Sequence, residues 1–230
     1  MVTIQRRAFL LGTATTAAAE TAGSKLKGEA KLLPAFEGRW PRLGLDPEGL
    51  NALRARIASE PEFARAVVPS STPEPLVRAE GSRQITPQFT KMQQAALLWR
   101  LTSEHRFAGS VRRGLPLLVQ LDAQPITLHR GTNANDLDAG HTLRALALLY
   151  DWLRGSDWPH GDVDAIAKSL AKQARVVHDE LCSASAFSYD QNHHYIPATG
   201  LALAGWALHG EIPEAAGWAG WGRNSFARTA

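Results

Sequence analysis

Cysteine is almost absent from this chain. Cys182 stands alone among 230 residues, which excludes an internal disulfide framework and any zinc site built on cysteines. Such a residue is expected to be a small buried hydrophobe. An excess of either charge is also lacking: 25 Lys and Arg face 22 Asp and Glu, for a formal net charge of +3. That is too small and too dispersed for a nucleic-acid partner. Ordinary solvation accounts for it, and a mildly basic surface would also suit an acidic polymer. No apolar run is long enough to span a bilayer in the mature protein. Alternating strand patterns are missing, and so is any fixed-period repeat of the tetratricopeptide or armadillo type. What is present is an ordinary soluble composition, 44% hydrophobic and 20% charged, in a length that suits one domain.

The first residues read as an address rather than as part of the fold. Gln5-Arg6-Arg7-Ala8-Phe9-Leu10-Leu11 is a twin-arginine pattern, followed by a weakly apolar stretch from Gly12 and the small residues Ala17-Ala18-Ala19. Residues 1–20 are therefore expected to be a signal peptide, 21–39 a linker and 40–230 the folded domain. Twin-arginine export carries folded proteins across the bacterial inner membrane, so the mature protein is expected in the periplasm.

From Lys31 onward the pattern predicts helix after helix. Asp46-Pro47-Glu48 combines an N-cap, a proline for the first helical position and an acid for the first turn. Leu50, Leu53, Ile57 and Phe63 form the apolar side, and Ser59-Glu60-Pro61 divides this segment in two. The proline-rich stretch from Pro69 to Thr86 reads as a loop. Thr86-Pro87 then predicts the start of a helix through Trp99, followed by another from about Glu104 to Leu121. Asn135-Asp136 opens the most regular amphipathic helix, with Leu143, Leu146, Ala147, Tyr150 and Leu153 on one side. Further helices are predicted from Val163 to Leu181, from Ala198 to Leu208, and after Glu211-Ile212-Pro213-Glu214. Short connections between them predict antiparallel hairpins. The fold class expected is all-α, an incomplete α/α toroid.

The most informative segment is Gln191-Asn192-His193-His194-Tyr195, which runs into Pro197-Ala198-Thr199-Gly200-Leu201-Ala202-Leu203-Ala204. A helix this apolar is buried nearly all round, so its polar N-terminal end is expected to face a cavity. Asn and His beside outward-pointing backbone N–H groups form a receptor for a carboxylate. His193 and His194 are not a metal pair, because adjacent helical residues point to different sides. No cofactor or metal is expected.

A family resemblance emerges from three segments taken together. Trp40-Pro41-Arg42-Leu43-Gly44-Leu45-Asp46-Pro47-Glu48 resembles the opening helix of the heparinase II/III-like polysaccharide lyases. Leu146-Ala147-Leu148-Leu149-Tyr150-Asp151-Trp152-Leu153 is similar to that family's Tyr-Asp-Trp helix. Asn192-His193 before Gly200-Leu201-Ala202 resembles its active-site Asn-His. The resemblance implies an α/α toroid ahead of a β-sandwich and β-elimination from a uronic-acid polysaccharide. It makes Asn192 and His193 the catalytic pair that neutralises the uronate carboxylate, with Gln191, His194 and Tyr195 as neighbouring substrate contacts. The family's catalytic Tyr follows several dozen residues after Asn-His, and neither Tyr189 nor Tyr195 matches it. These residues alone are therefore not expected to turn over substrate. The alternatives are a non-catalytic toroid that binds glycan or protein, and an inactive truncated lyase.

Other polar and aromatic residues have plainer readings. Asp136, Asp138 and His141 at helical spacing suit a cap with a solvated face. Tyr150, Asp151 and Trp152 suit core packing with a buried hydrogen bond. Trp206, Trp218 and Trp221 could stack on sugars. On a final helix that looks interrupted, Trp218, Trp221 and Phe226 are instead expected to lie exposed beside a missing neighbour, with self-association as the result.

Overall fold

The computed structural model describes residues 37–183 and 191–227. The twin-arginine segment and most of the expected linker lie outside the described residues, as does Tyr189. Those described form nine α-helices and no strand: α1 (Pro47–Ser59), α2 (Pro61–Val67), α3 (Ser82–Thr102), α4 (His105–Gly114), α5 (Pro116–Ala123), α6 (Asp136–Leu153), α7 (His160–Ser183), α8 (Asn192–Ala207) and α9 (Ala215–Ala227). Among them, no helix is long and apolar enough to cross a membrane.

Local chemistry sets most boundaries. Asp46 caps α1 by accepting from the Gly49 N–H at 2.6 Å, and Pro61 opens α2. Leu50 is buried, whereas Leu53, Ile57 and Phe63 are only half covered. The helix expected from Glu104 to Leu121 is two helices, because Pro116 restarts the chain as α5. Two other starts fall earlier than the prolines suggested. Gly81 turns into α3 at φ 70, and the Asn133 side chain accepts from the Ser82 N–H at 2.9 Å, so Pro87 lies inside α3. Likewise α8 begins at Asn192 and carries Pro197 within it.

Three hairpins stand side by side: α3 with α4–α5, α6 with α7, and α8 with α9. The first helices of the hairpins, α3, α6 and α8, run parallel and form one layer. Thr86 and Thr142 hydroxyls meet at 2.9 Å near the beginnings of α3 and α6, while the Arg100 guanidinium donates to the Trp152 carbonyl at 2.6 Å near their ends. Gly140 of α6 lies against the backbone of Ile196, Pro197 and Gly200 in α8; a Cβ there would stand 2.5 Å from the Ile196 carbonyl. The return helices form a second layer. Lys172 of α7 donates to the Asp122 carbonyl of α5 at 2.7 Å, and Arg175 pairs with Glu214 beside α9 at 2.9 Å. The apolar core lies between the layers and includes Phe89, Met92, Phe107, Leu117, Leu143, Leu146, Ile166 and Leu201.

Two expectations are corrected. Trp218 is not exposed: it is 2% accessible, and Trp221 packs half-buried on the same core. Gly205 and Gly222 bring α8 and α9 so close that a Cβ would fall 2.4 Å from Ala219 or Ala202, which seats Trp218 between the layers. The Phe226 side chain lies outside the described ones. Cys182 is exposed rather than buried, because the apolar side of α7 ends at Leu181; its sulfur lies 3.4 Å from His178 Nε2.

Candidate functional site

The beginnings of α6 and α8 lie together at one end of the parallel layer. At α6 the N-cap is Asn135, whose side chain accepts from the Asp138 N–H at 3.3 Å. That leaves one carboxylate oxygen of Asp136, at the first helical position, for a partner outside its own helix. At α8 the Gln191 carbonyl accepts from His194 and Tyr195, each at 3.0 Å, and its side chain makes no cap. Asn192 and His193 are thus the first two helical residues, where backbone N–H groups have no partner earlier in the helix.

Helical geometry separates the five residues singled out in the sequence. Gln191, Asn192 and His193 are exposed, and Tyr195 is half-buried. His194 turns inward at 5% exposure, its ring 5.7 Å from that of Trp221 and 6.5 Å from that of Tyr195. Asn192 and His193 share the surface with Gln191, whereas His194 belongs to the packing of α8 on α9.

One contact joins the two helix starts. His193 Nδ1 lies 2.6 Å from Asp136 Oδ2, with the His193 side chain 46% exposed and that of Asp136 12% exposed. Asp136 Oδ1 accepts from the Leu137 N–H at 2.8 Å. The sequence reading had made Asp136 a cap and missed it as the partner of His193. Asn135, three residues before Asp138, was the local clue, but a partner 57 residues away leaves no local trace.

Farther along α6, burial pushes the His141 imidazole down, and the nearby Arg144 adds to this against Asp138. Asp138 itself keeps Oδ2 out of solvent with no hydrogen-bond partner among the described residues. At the far end of α6, Asp151 is fully buried and accepts from the Arg42 and Leu43 N–H groups at 2.8–2.9 Å. Burial pushes its carboxyl up to about 7 and the Tyr150 phenol up to about 12. Both stand in the core, as expected of core packing with a buried hydrogen bond, and Asp151 fastens the segment before α1.

Among the described residues, no group of three or more His, Cys, Asp or Glu side chains is arranged to hold a metal ion. The arrangement that remains sets an exposed amide, an exposed imidazole and the first backbone N–H groups of α8 together at one helix start. The chain matches no protein-family model and no curated protein.

Proposed function

We propose that the chain is a polysaccharide lyase that cleaves uronic-acid-containing glycans by β-elimination, with Asn192 and His193 neutralising the uronate carboxylate. The observation that carries this reading is the placement of Asn192 and His193 as the first two residues of α8, exposed, beside the start of α6. The resemblance to heparinase II/III-like lyases supports it. So do two helical layers, each parallel within itself, which suit part of an α/α toroid. The proposed site is the periplasm, reached by twin-arginine export.

The chemistry follows from charge. Removing the proton α to a uronate carboxylate puts a second negative charge on a group that already has one. Donors aimed at the developing dianion lower that barrier, and one well-placed donor of this kind is worth about 3–4 kcal/mol. Asn192 donates through its amide, and His193 through Nε2 when the ring is protonated. The elimination also needs a base within hydrogen-bond reach of the C5 proton and an acid on the leaving oxygen; neither role is assigned to a residue of this chain.

Titration calorimetry with an oligouronate and its methyl ester tests the reading. The free acid is expected to bind and the ester to bind at least tenfold more weakly. Asn192→Ala and His193→Ala should each weaken the acid by roughly tenfold or more, the worth of a hydrogen bond to a charged group. Equal binding of acid and ester, or wild-type affinity in both variants, would sink the proposal. In parallel, a lyase releases a 4,5-unsaturated uronate that absorbs in the near ultraviolet. Carboxylate-dependent binding without that product would assign a glycan-binding role instead.

A further inference from the structure

We propose that Asp136 is a positioning residue for His193: it fixes which ring nitrogen carries the proton and holds the orientation of the ring. For its effect on turnover this rests on the lyase reading; the hydrogen-bond assignment itself does not.

The carboxylate is held at both oxygens. Oδ1 accepts from the Leu137 N–H at 2.8 Å, which fixes the side chain against its own helix, and Oδ2 lies 2.6 Å from His193 Nδ1. That separation belongs to a charge-assisted bond rather than a casual contact. At 9% exposure Asp136 has left most of its water behind, a cost that needs a specific partner in return. Among the described residues its one ion-pair partner is His193, and no Lys or Arg shares it. Capping explains only one of its oxygens: Asn135 takes the Asp138 N–H and Oδ1 the Leu137 N–H, which leaves Oδ2 to His193.

The two helices cannot slide to relax the pair. Gly140 meets the Ile196–Pro197 backbone, and a Cβ on Gly200 would stand 2.4 Å from the Gly140 carbonyl, so the crossing is fixed one turn from the contact. A site residue supported by a second residue on a rigid neighbouring helix keeps its geometry without help from the ligand.

The hydrogen bond decides the tautomer. With Asp136 as acceptor, Nδ1 carries the proton of the neutral ring and Nε2 is an acceptor; when the ring is protonated, Nε2 becomes a donor and the pair is neutral as a whole. That neutrality matters at a site for a uronate. Alone, Asp136 would repel the substrate carboxylate, whereas paired with an imidazolium it adds no net charge.

Nitrogen-15 NMR of the full chain, using two-bond couplings of the His193 ring assigned by difference from His193→Gln, reads this directly. The wild-type neutral ring is expected to carry its proton on Nδ1, and Asp136→Asn to move the population toward the Nε2–H form. Neutral His193 protonated on Nε2 in the wild type would overturn the proposal, with no variant required. So would an unchanged tautomer in a folded Asp136→Asn. Asp136→Asn should also weaken oligouronate binding or lower kcat by roughly 10–100-fold, the usual range for a residue that orients a ligand-bearing histidine. Normal tautomer behaviour with no uronate binding by the wild type would refute the lyase reading and leave the positioning role standing.

Discussion

Asp136 and Asp151 occupy opposite ends of α6, and the sequence foretold only one of them. Asp151 follows Tyr150 on a regular apolar face, so a buried hydrogen-bonding role was legible there. Its partners were not, because Arg42 and Leu43 lie more than 100 residues away. Asp136 was misread because Asn135, Asp136 and Asp138 are all plausible acceptors for a helix start, and only packing shows which of them is released for other work. Asp151 also supplies a pH prediction. Burial raises its carboxyl from 3.8 to about 7, so between those values the folded protein keeps a proton that the unfolded chain has lost. The contribution is fully present below about pH 4 and is lost as pH rises through about 7, amounting to a few kcal/mol. The urea midpoint is expected to fall over that window in the wild type, and the fall should flatten in Asp151→Asn. An equal slope in both proteins would reject this account.

The helical elements were legible largely in place, though one expected helix is two, α4 and α5, divided at Pro116. The errors in α3 and α8 share one cause: a proline read as a helix start. Pro87 and Pro197 lie inside their helices, each giving up the one backbone bond its missing N–H would have made. For Pro197 that bond would have gone to the His193 carbonyl, so the chain loosens its helical ladder at the candidate site itself. The glycines have opposite meanings on different helices. Gly140 faces backbone at 2.5 Å, whereas Gly217 of α9 has nothing within 4 Å of an added Cβ. Gly140→Ala and Gly200→Ala should each cost about 1–3 kcal/mol by forcing the helices apart, with less than additive loss in the double variant, since both open one contact. Gly217→Ala should instead stabilise by about 0.5 kcal/mol. Denaturant midpoints measure all four proteins, and a neutral Gly140→Ala would show that the crossing is not as tight as described.

At the level of the molecule, helical class and hairpin pairing could be read because both depend on near neighbours. The joining of α6 to α8 could not, since its contacts link residues more than 50 apart and rest on glycines whose meaning only a neighbouring helix supplies. For the same reason Trp218 looked stranded in sequence yet is buried between layers. The inferred export of the whole protein has its own test. Lys at positions 6 and 7 keeps the charge but loses the paired guanidinium groups, so Arg6→Lys with Arg7→Lys should hold the precursor in the cytoplasm. Undiminished periplasmic accumulation would refute that route. The layered arrangement has one more consequence. Aligned peptide dipoles leave about half an elementary positive charge at a helix start, and α3, α6 and α8 all start at the same end. The return helices run the other way, so the two sets of dipoles cancel at long range while the field within a turn of Asn192 survives. An anion would feel no pull from these helices on approach and would be held by them only after docking. Their share of recognition would appear in residence time rather than in encounter rate.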